Sequence, residues 1–165
     1  MGGSHLFSRS VRFADVDSLG HVNNVRFFDF LEDARQAMFR TDRHRRGEPP
    51  FAGLVVARHE IDYRRPLGFR HDPVVVETRV SDIRAARFTL DHRIRDEEQV
   101  FAQARSVLVA YDIHATGPRR LRKRNCPTLR RSAKFEVRSH GLRLVGVWPR
   151  SVRRCLEWDM SVGVG

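Results

Sequence analysis

One segment, Val25 to Phe39, constrains the fold of this chain more than any other. Phe27, Leu31, Ala34 and Met38 recur at helical spacing, and Phe28, Phe30 and Ala37 widen the stripe. Asp29, Glu32, Asp33, Arg35 and Gln36 occupy what remains of the circumference. So broad an apolar arc needs a helix covered on most sides. Asn23 or Asn24 stands where an N-cap belongs, with a side-chain oxygen that can accept from a free backbone N–H of the first turn. Acids early and Arg40 late suit the helix dipole.

Strand patterns surround this segment. Leu6 to Phe13 reads as a short first strand, with Phe7, Val11 and Phe13 on one face. Residues 41–53, with their arginines, Pro49, Pro50 and Gly53, read as a loop. Four strand candidates follow. The first runs from Leu54 to Arg65 and stops at Pro66. Pro73 to Ile83 sets Val74, Val76, Thr78 and Val80 on one face. Ala86 to Arg95 does the same with Phe88, Leu90, His92 and Ile94, and Gln99 to Tyr111 is the longest β-type run. Short turns between successive strands favour an antiparallel meander. One sheet and one apolar helix make an α+β layer fold, the sheet curling around the helix.

Charge divides the chain. Its net charge is +11, but residues 1–112 hold 18 Arg against 17 acids, while residues 113–165 hold 13 Arg and Lys against 3 acids. A folded domain over residues 1–124 and a basic C-terminal extension over 125–165 are therefore expected. No apolar run approaches the length that spans a membrane, and the N-terminus lacks a signal pattern. Cys126 and Cys155, the two cysteines, suggest neither a disulfide framework nor a zinc site. A cytoplasmic protein is the simplest expectation.

Chemistry concentrates in Ala14-Asp15-Val16-Asp17-Ser18-Leu19-Gly20-His21-Val22-Asn23-Asn24. Asp15 and Asp17 stand two residues apart, and one of them is expected to face a pocket beside the helix start. A carboxylate there can attack a carbonyl or deprotonate water. The first-turn N–H groups aim at the same spot and could hold an oxyanion. The competing reading is a capping or turn-forming pair. His21 could be an acid, a group that binds a carbonyl, or a turn residue. The remaining histidines are dispersed, with no metal-like spacing, so no metal is expected. No serine elbow, phosphate loop or dinucleotide fingerprint is present, and no cofactor is expected.

Arginines flank the strands at Arg64, Arg65, Arg84 and Arg87. Such forks suit phosphates of a nucleotide-bearing substrate, although a solvated sheet face is the better explanation of any single one. Arg119 to Arg124 could attract nucleic acid or acidic lipid, but no interleaved aromatics support base stacking there.

The run Asp15 to Asn24, followed by Phe27-Phe28-Asp29-Phe30-Leu31-Glu32-Asp33-Ala34-Arg35, resembles the hydroxybenzoyl-CoA thioesterase family of hotdog-fold acyl-CoA thioesterases. Ile61 to Leu67 is similar to the family's strand after the helix, and Val107 to Asp112 to its last strand. The resemblance covers about residues 6–124. It implies a sheet wrapped around the helix, a homodimer or homotetramer with sites at the dimer interface, and hydrolysis of an acyl-CoA. It further implies Asp17 as the catalytic carboxylate and Asn24 as the amide that polarises the thioester carbonyl. His21 would support them, and Asn23, Phe27, Tyr63, Arg84 and Arg87 would meet substrate, the arginines at the CoA phosphates. Relatives commonly carry Tyr where Phe27 stands, so that hydroxyl is missing here. The expected function is thus an acyl-CoA thioesterase without membrane or nucleic-acid partners. The alternatives are a non-catalytic acyl-thioester binder and a nucleic-acid-associated protein acting through its basic tail.

Overall fold

The structure, a computed structural model, describes residues 4–121. The first strand, β1, is His5–Arg9. A 3-10 turn at Phe13–Asp15 opens the acidic loop. Helix α1, Arg26–Gln36, continues through a π-helical segment, Ala37–Thr41, into α2, Asp42–Arg45. Strands β2 (Leu54–Tyr63), β3 (Val74–Ser81), β4 (Arg87–Arg95) and β5 (Val100–Asp112) follow, and a short β6, Gly117–Pro118, pairs with β5. The sheet order is β1-β3-β4-β5-β2, and every pairing is antiparallel. Register shifts between Val56 and Arg58 and between Ile94 and Arg95 sharpen the twist of the sheet. This is the hotdog arrangement, an antiparallel sheet around one long helix. No helix among the described residues is long and apolar enough to cross a membrane. The basic extension expected over 125–165 and the end of the expected domain lie outside the described residues.

Three local expectations are corrected. The helix does not stop at Phe39 but runs to Arg45, and the added turn is anchored by Arg43, which is buried and donates to the Pro49 carbonyl at 2.7 Å, and by Asp42, which meets His5 at 2.8 Å. Phe13 is not on the core face of the first strand. The strand ends at Arg9, Val11 alone turns inward, and Phe13 is 83% exposed. The meander holds only for β3-β4-β5. Residues 64–73 are too long for a tight hairpin, and β2 pairs with β5 at the edge of the sheet instead of with β3.

Packing explains the helix stripe. Phe27, Phe30, Leu31 and Ala34 lie against Val74, Val76, Ile94 and Ala102 in one apolar cluster. Met38 and Phe39 join Phe51, Val80, Phe88, Leu90 and Leu108 in a second. Each large side chain buried this way contributes roughly 1.5–3 kcal/mol. Between the clusters the inward face of the sheet turns polar, with Thr78 on β3, His92 on β4 and Ser106 on β5 all buried.

Gly53 fixes the entry to β2. Its φ is +68°, and a Cβ there would collide with the Tyr111 carbonyl oxygen. The approach is enforced by the Tyr111 N–H, which donates to the Gly53 carbonyl at 2.8 Å, and by Arg119, which donates to the Ala52 carbonyl at 2.8 Å. Gly53→Ala combines left-handed strain with a backbone clash. It should cost about 2 kcal/mol or more in urea unfolding.

Candidate active site

The acidic loop separates its two carboxylates. Asp15 is fully buried. Arg12 Nη2 donates to its Oδ1 at 2.7 Å, and the Arg12 backbone N–H donates to Oδ2 at 2.9 Å. Burial alone would push this carboxyl up, but the Arg12 guanidinium and N–H outweigh it and hold Asp15 below the ordinary range. Its carbonyl also accepts from Asn23 N–H at 2.9 Å, which ties the two ends of the loop together.

Asp17 begins a tight turn. Val16 bridges Val22, the Asp17 N–H donates to the His21 carbonyl at 2.9 Å, and Gly20 N–H returns to the Asp17 carbonyl at 3.0 Å. Gly20 has φ +78°, the left-handed conformation that closes this turn. Asp17 is half-buried. Its Oδ1 accepts from Leu19 N–H at 2.9 Å, while Oδ2 has no partner among the described residues. His21 bridges Gly68 through its backbone, and its exposed ring makes no hydrogen bond among the described residues.

The helix start comes next. Asn23 Oδ1 accepts from Val25 N–H at 3.0 Å, and the Asn23 carbonyl accepts from Arg26 N–H at 2.8 Å. Asn23 therefore makes the cap-like turn, and Asn24 stays exposed. The Asn24 N–H donates to nothing among the described residues, and the Asn24 carbonyl accepts from the Tyr63 hydroxyl at 2.9 Å. The Tyr63 ring meets buried Phe27 edge-on, 5.3 Å between centroids. A phenol hydroxyl thus reaches the helix start from β2, although position 27 has none.

Asp17, His21, Asn23, Asn24, Phe27 and Tyr63 gather at one end of the sheet. Arg84 and Arg87 do not join them. Arg84 Nε donates to Asp82 at 2.7 Å in the β3–β4 turn, and Arg87 opens β4 opposite Val109. Tyr63 pairs with Ala102. Seven residues of β5 separate the two places, about 23 Å at the usual rise. Two clefts, of about 480 and 510 Å³, lie elsewhere. One sits on the charged outer face of the sheet between Glu60, Glu77, Arg79 and Arg105, the other between β1 and the helix at His5, Asp33 and Asp42. No group of three His, Cys, Asp or Glu side chains converges as a metal site among the described residues.

A further polar group was missed in the sequence. His59 Nδ1 lies 2.9 Å from Ser106 Oγ, which lies 3.1 Å from His92 Nε2, and His92 Nδ1 lies 3.0 Å from Thr78 Oγ1. Burial, and then the neighbouring His59, push His92 down to about 4. Burial and Arg35 lower His59 as well. The one signal available was that Thr78 and His92 interrupt otherwise apolar strand faces.

No curated protein matches the chain. Among solved structures, it is similar to a thioesterase from Thermus thermophilus complexed with coenzyme A and Zn. The two are 31% identical with a TM-score of 0.64, over 76% of this chain and 91% of that one. A predicted thioesterase from Bacillus stearothermophilus shares the fold at 23% identity and a TM-score of 0.70, over 82% of this chain and 100% of that one. A 1,4-dihydroxy-2-naphthoyl-CoA thioesterase from Synechocystis shares it at 20% identity and 0.64, over 77% and 96%. The sequence profile of the thioesterase-like superfamily matches residues 11–139, which take in the acidic loop, the helix and strands β2 to β6. The chain belongs to that superfamily and is a thioester hydrolase of the hotdog fold.

Proposed function

We propose that this protein is an acyl-CoA thioesterase that releases free acid and CoA, with Asp17 as nucleophile or general base. The observation that carries the reading is a pair of unspent groups on one loop: the Asp17 Oδ2 and the Asn24 N–H. Asp15, by contrast, is consumed by Arg12. In one route Asp17 attacks the thioester carbonyl, the CoA thiolate leaves, and water hydrolyses the acyl anhydride. In the other Asp17 takes a proton from water, hydroxide adds to the carbonyl, and collapse of the tetrahedral intermediate expels the thiolate. Either way the carbonyl oxygen becomes an oxyanion, and a well-placed donor such as the Asn24 N–H contributes about 3 kcal/mol. His21 and Asn23 keep the turn and helix start in place, and Phe27 and Tyr63 line the acyl side.

The arginines fit a site shared by two copies in a cytoplasmic homodimer or homotetramer. Arg84 and Arg87 of a second copy would meet the CoA phosphates, since the same two residues of one copy lie far from its own acidic loop. Large apolar side chains exposed around the loop support such cover, with Phe13 at 83%, Leu19 at 77% and Phe69 at 49%. The CoA in the Thermus thermophilus structure supports the nucleotide-bearing substrate. A chromogenic thiol reagent tests the reading on a panel of straight-chain and aryl acyl-CoAs. Thiol release in step with free acid is expected. Tight acyl-CoA binding with no thiol release from any member would make the protein a binder.

A further inference from the structure

The chain Thr78–His92–Ser106–His59 crosses the inward face of β3, β4, β5 and β2 between the two apolar clusters. Its first three members are 0%, 3% and 1% exposed. A buried polar row of this kind is costly unless every proton has an acceptor. Two proton arrangements fit the distances. In one, His92 Nδ1–H donates to Thr78 Oγ1, Ser106 O–H donates to His92 Nε2, and His59 Nδ1–H donates to Ser106 Oγ. The buried Thr78 hydroxyl proton then has no acceptor among the described residues. In the other, Thr78 O–H donates to His92 Nδ1, His92 Nε2–H to Ser106 Oγ, and Ser106 O–H to His59 Nδ1. No proton is wasted, and the tautomer of His59 is fixed with its hydrogen on Nε2.

His59 Nε2 is the open end of the row. It makes no hydrogen bond among the described residues, and it is not one of the fully enclosed unpartnered atoms. Its ring lies 5.4 Å from Phe28 on α1. β2 is the edge strand of the sheet, and His59, in the seam between α1 and β2, is only partly buried. The same seam leads back through Phe27 and Tyr63 to Asn24. From Tyr63 to His59 is about 13 Å along the strand, and from Asn24 to Phe28 about 6 Å along the helix. Those spans bracket an extended octanoyl chain.

We propose that His59 reads the far end of the acyl group: its Nε2–H, pre-set by Ser106 and His92, donates to an oxygen acceptor at the end of an acyl chain lying in the α1–β2 seam. The preferred substrates are then acyl thioesters oxygenated at the distal end. The inference rests on the thioesterase reading above and adds to it the class of acyl group and the residue that selects it. A hydroxyl oxygen and a carboxylate offer the same acceptor, and the Arg35 charge near His59 tolerates either.

The test compares kcat/KM for octanoyl-CoA, 8-hydroxyoctanoyl-CoA and the ω-carboxylated octanedioyl-CoA, with unmodified protein, His59→Phe and His59→Gln. The unmodified protein should prefer at least one oxygenated chain by roughly tenfold, the value of one well-placed hydrogen bond. The arm with the larger ratio names the terminal group. His59→Phe should bring that ratio to about one, and His59→Gln, which keeps a donor, should retain most of it. A merely structural role for His59 would lower all three arms by the same factor and leave the ratio intact. Hydrolysis of all three chains by the unmodified protein without discrimination would overturn the inference with no variant needed, as would a ratio that survives His59→Phe. Release from aryl acyl-CoAs but from none of the three chains would also overturn the inference, whereas absence of thiol release from these chains and the aryl panel alike is a different pattern, and it would overturn the thioesterase reading itself.

Discussion

Asp17→Asn lowers kcat by roughly 10²–10⁴-fold while leaving the protein folded. The separation of the two effects follows from the geometry of the turn. Asparagine is isosteric, and its side-chain oxygen can still accept from Leu19 N–H as Asp17 Oδ1 does at 2.9 Å. Asp17 is half-buried, so the amide nitrogen can face water and strands no enclosed group. The Asp17–Gly20 turn is closed by backbone bonds that do not involve the carboxylate. What disappears is the charge that attacks the carbonyl or accepts a proton from water. Asp15 cannot be exchanged so cleanly, because its charge is paired with Arg12 in a fully buried place. The measurement is steady-state thiol release beside a thermal melt. Near-unmodified turnover with an unchanged melt would remove Asp17 from the mechanism under both routes.

Periodicity carries information about faces, and this chain shows how far that reaches. The stripe of Phe27, Leu31, Ala34 and Met38 is the buried face of the helix, and Phe88, Leu90, His92 and Ile94 are the buried face of β4. A period of two would set Asp15 and Asp17 on one face, and it is the 3-10 turn at Phe13–Asp15 that separates them, burying Asp15 and leaving Asp17 half-buried, which the sequence pattern does not carry. Neighbours are another matter. Nothing local says that β2 pairs with β5 across the whole of β3 and β4, because that choice is made by how the sheet closes over the helix. The His59–Ser106–His92 contacts depend on that pairing and its register, so histidines that look dispersed along the sequence become neighbours in the fold. The distance between Arg87 and Tyr63 is likewise a property of sheet length and order, which motif matching does not carry. The helix overran its expected end because Asp42 and Arg43, polar residues that read as loop, find tertiary partners in His5 and the Pro49 carbonyl.

Acid should weaken the fold well before the carboxylates are neutralised, and His92 is the reason. Its ordinary value is 6.5 and its folded value about 4, with burial the first cause and His59 the second. Asp91 acts in the opposite sense and Arg35 in the same sense, but neither overcomes burial. Between those two pH values the unfolded chain binds a proton that the folded chain refuses. Stability therefore rises with pH through this window, is fully present above about pH 6.5, and is lost as pH falls toward 4. At 1.36 kcal/mol per unit, the full loss is about 3 kcal/mol, with about 2 kcal/mol of it already reached at about pH 5. The carboxylates held low, Asp15, Glu77 and Asp96, stay ionised over the upper part of this range and contribute only at lower pH. Urea unfolding at about pH 7 and about pH 5 isolates the histidine. The unmodified protein should lose about 2 kcal/mol between the two, and His92→Gln, less stable at neutral pH, should lose markedly less. His59, which is also lowered and is joined to His92 through Ser106, accounts for what loss remains in the variant. Equal losses in the two proteins would mean that His92 is already protonated or freely hydrated in the fold. The proton order assigned to the Thr78–His92–Ser106–His59 row would then fail with it, because a charged His92 has no lone pair left to accept from Thr78.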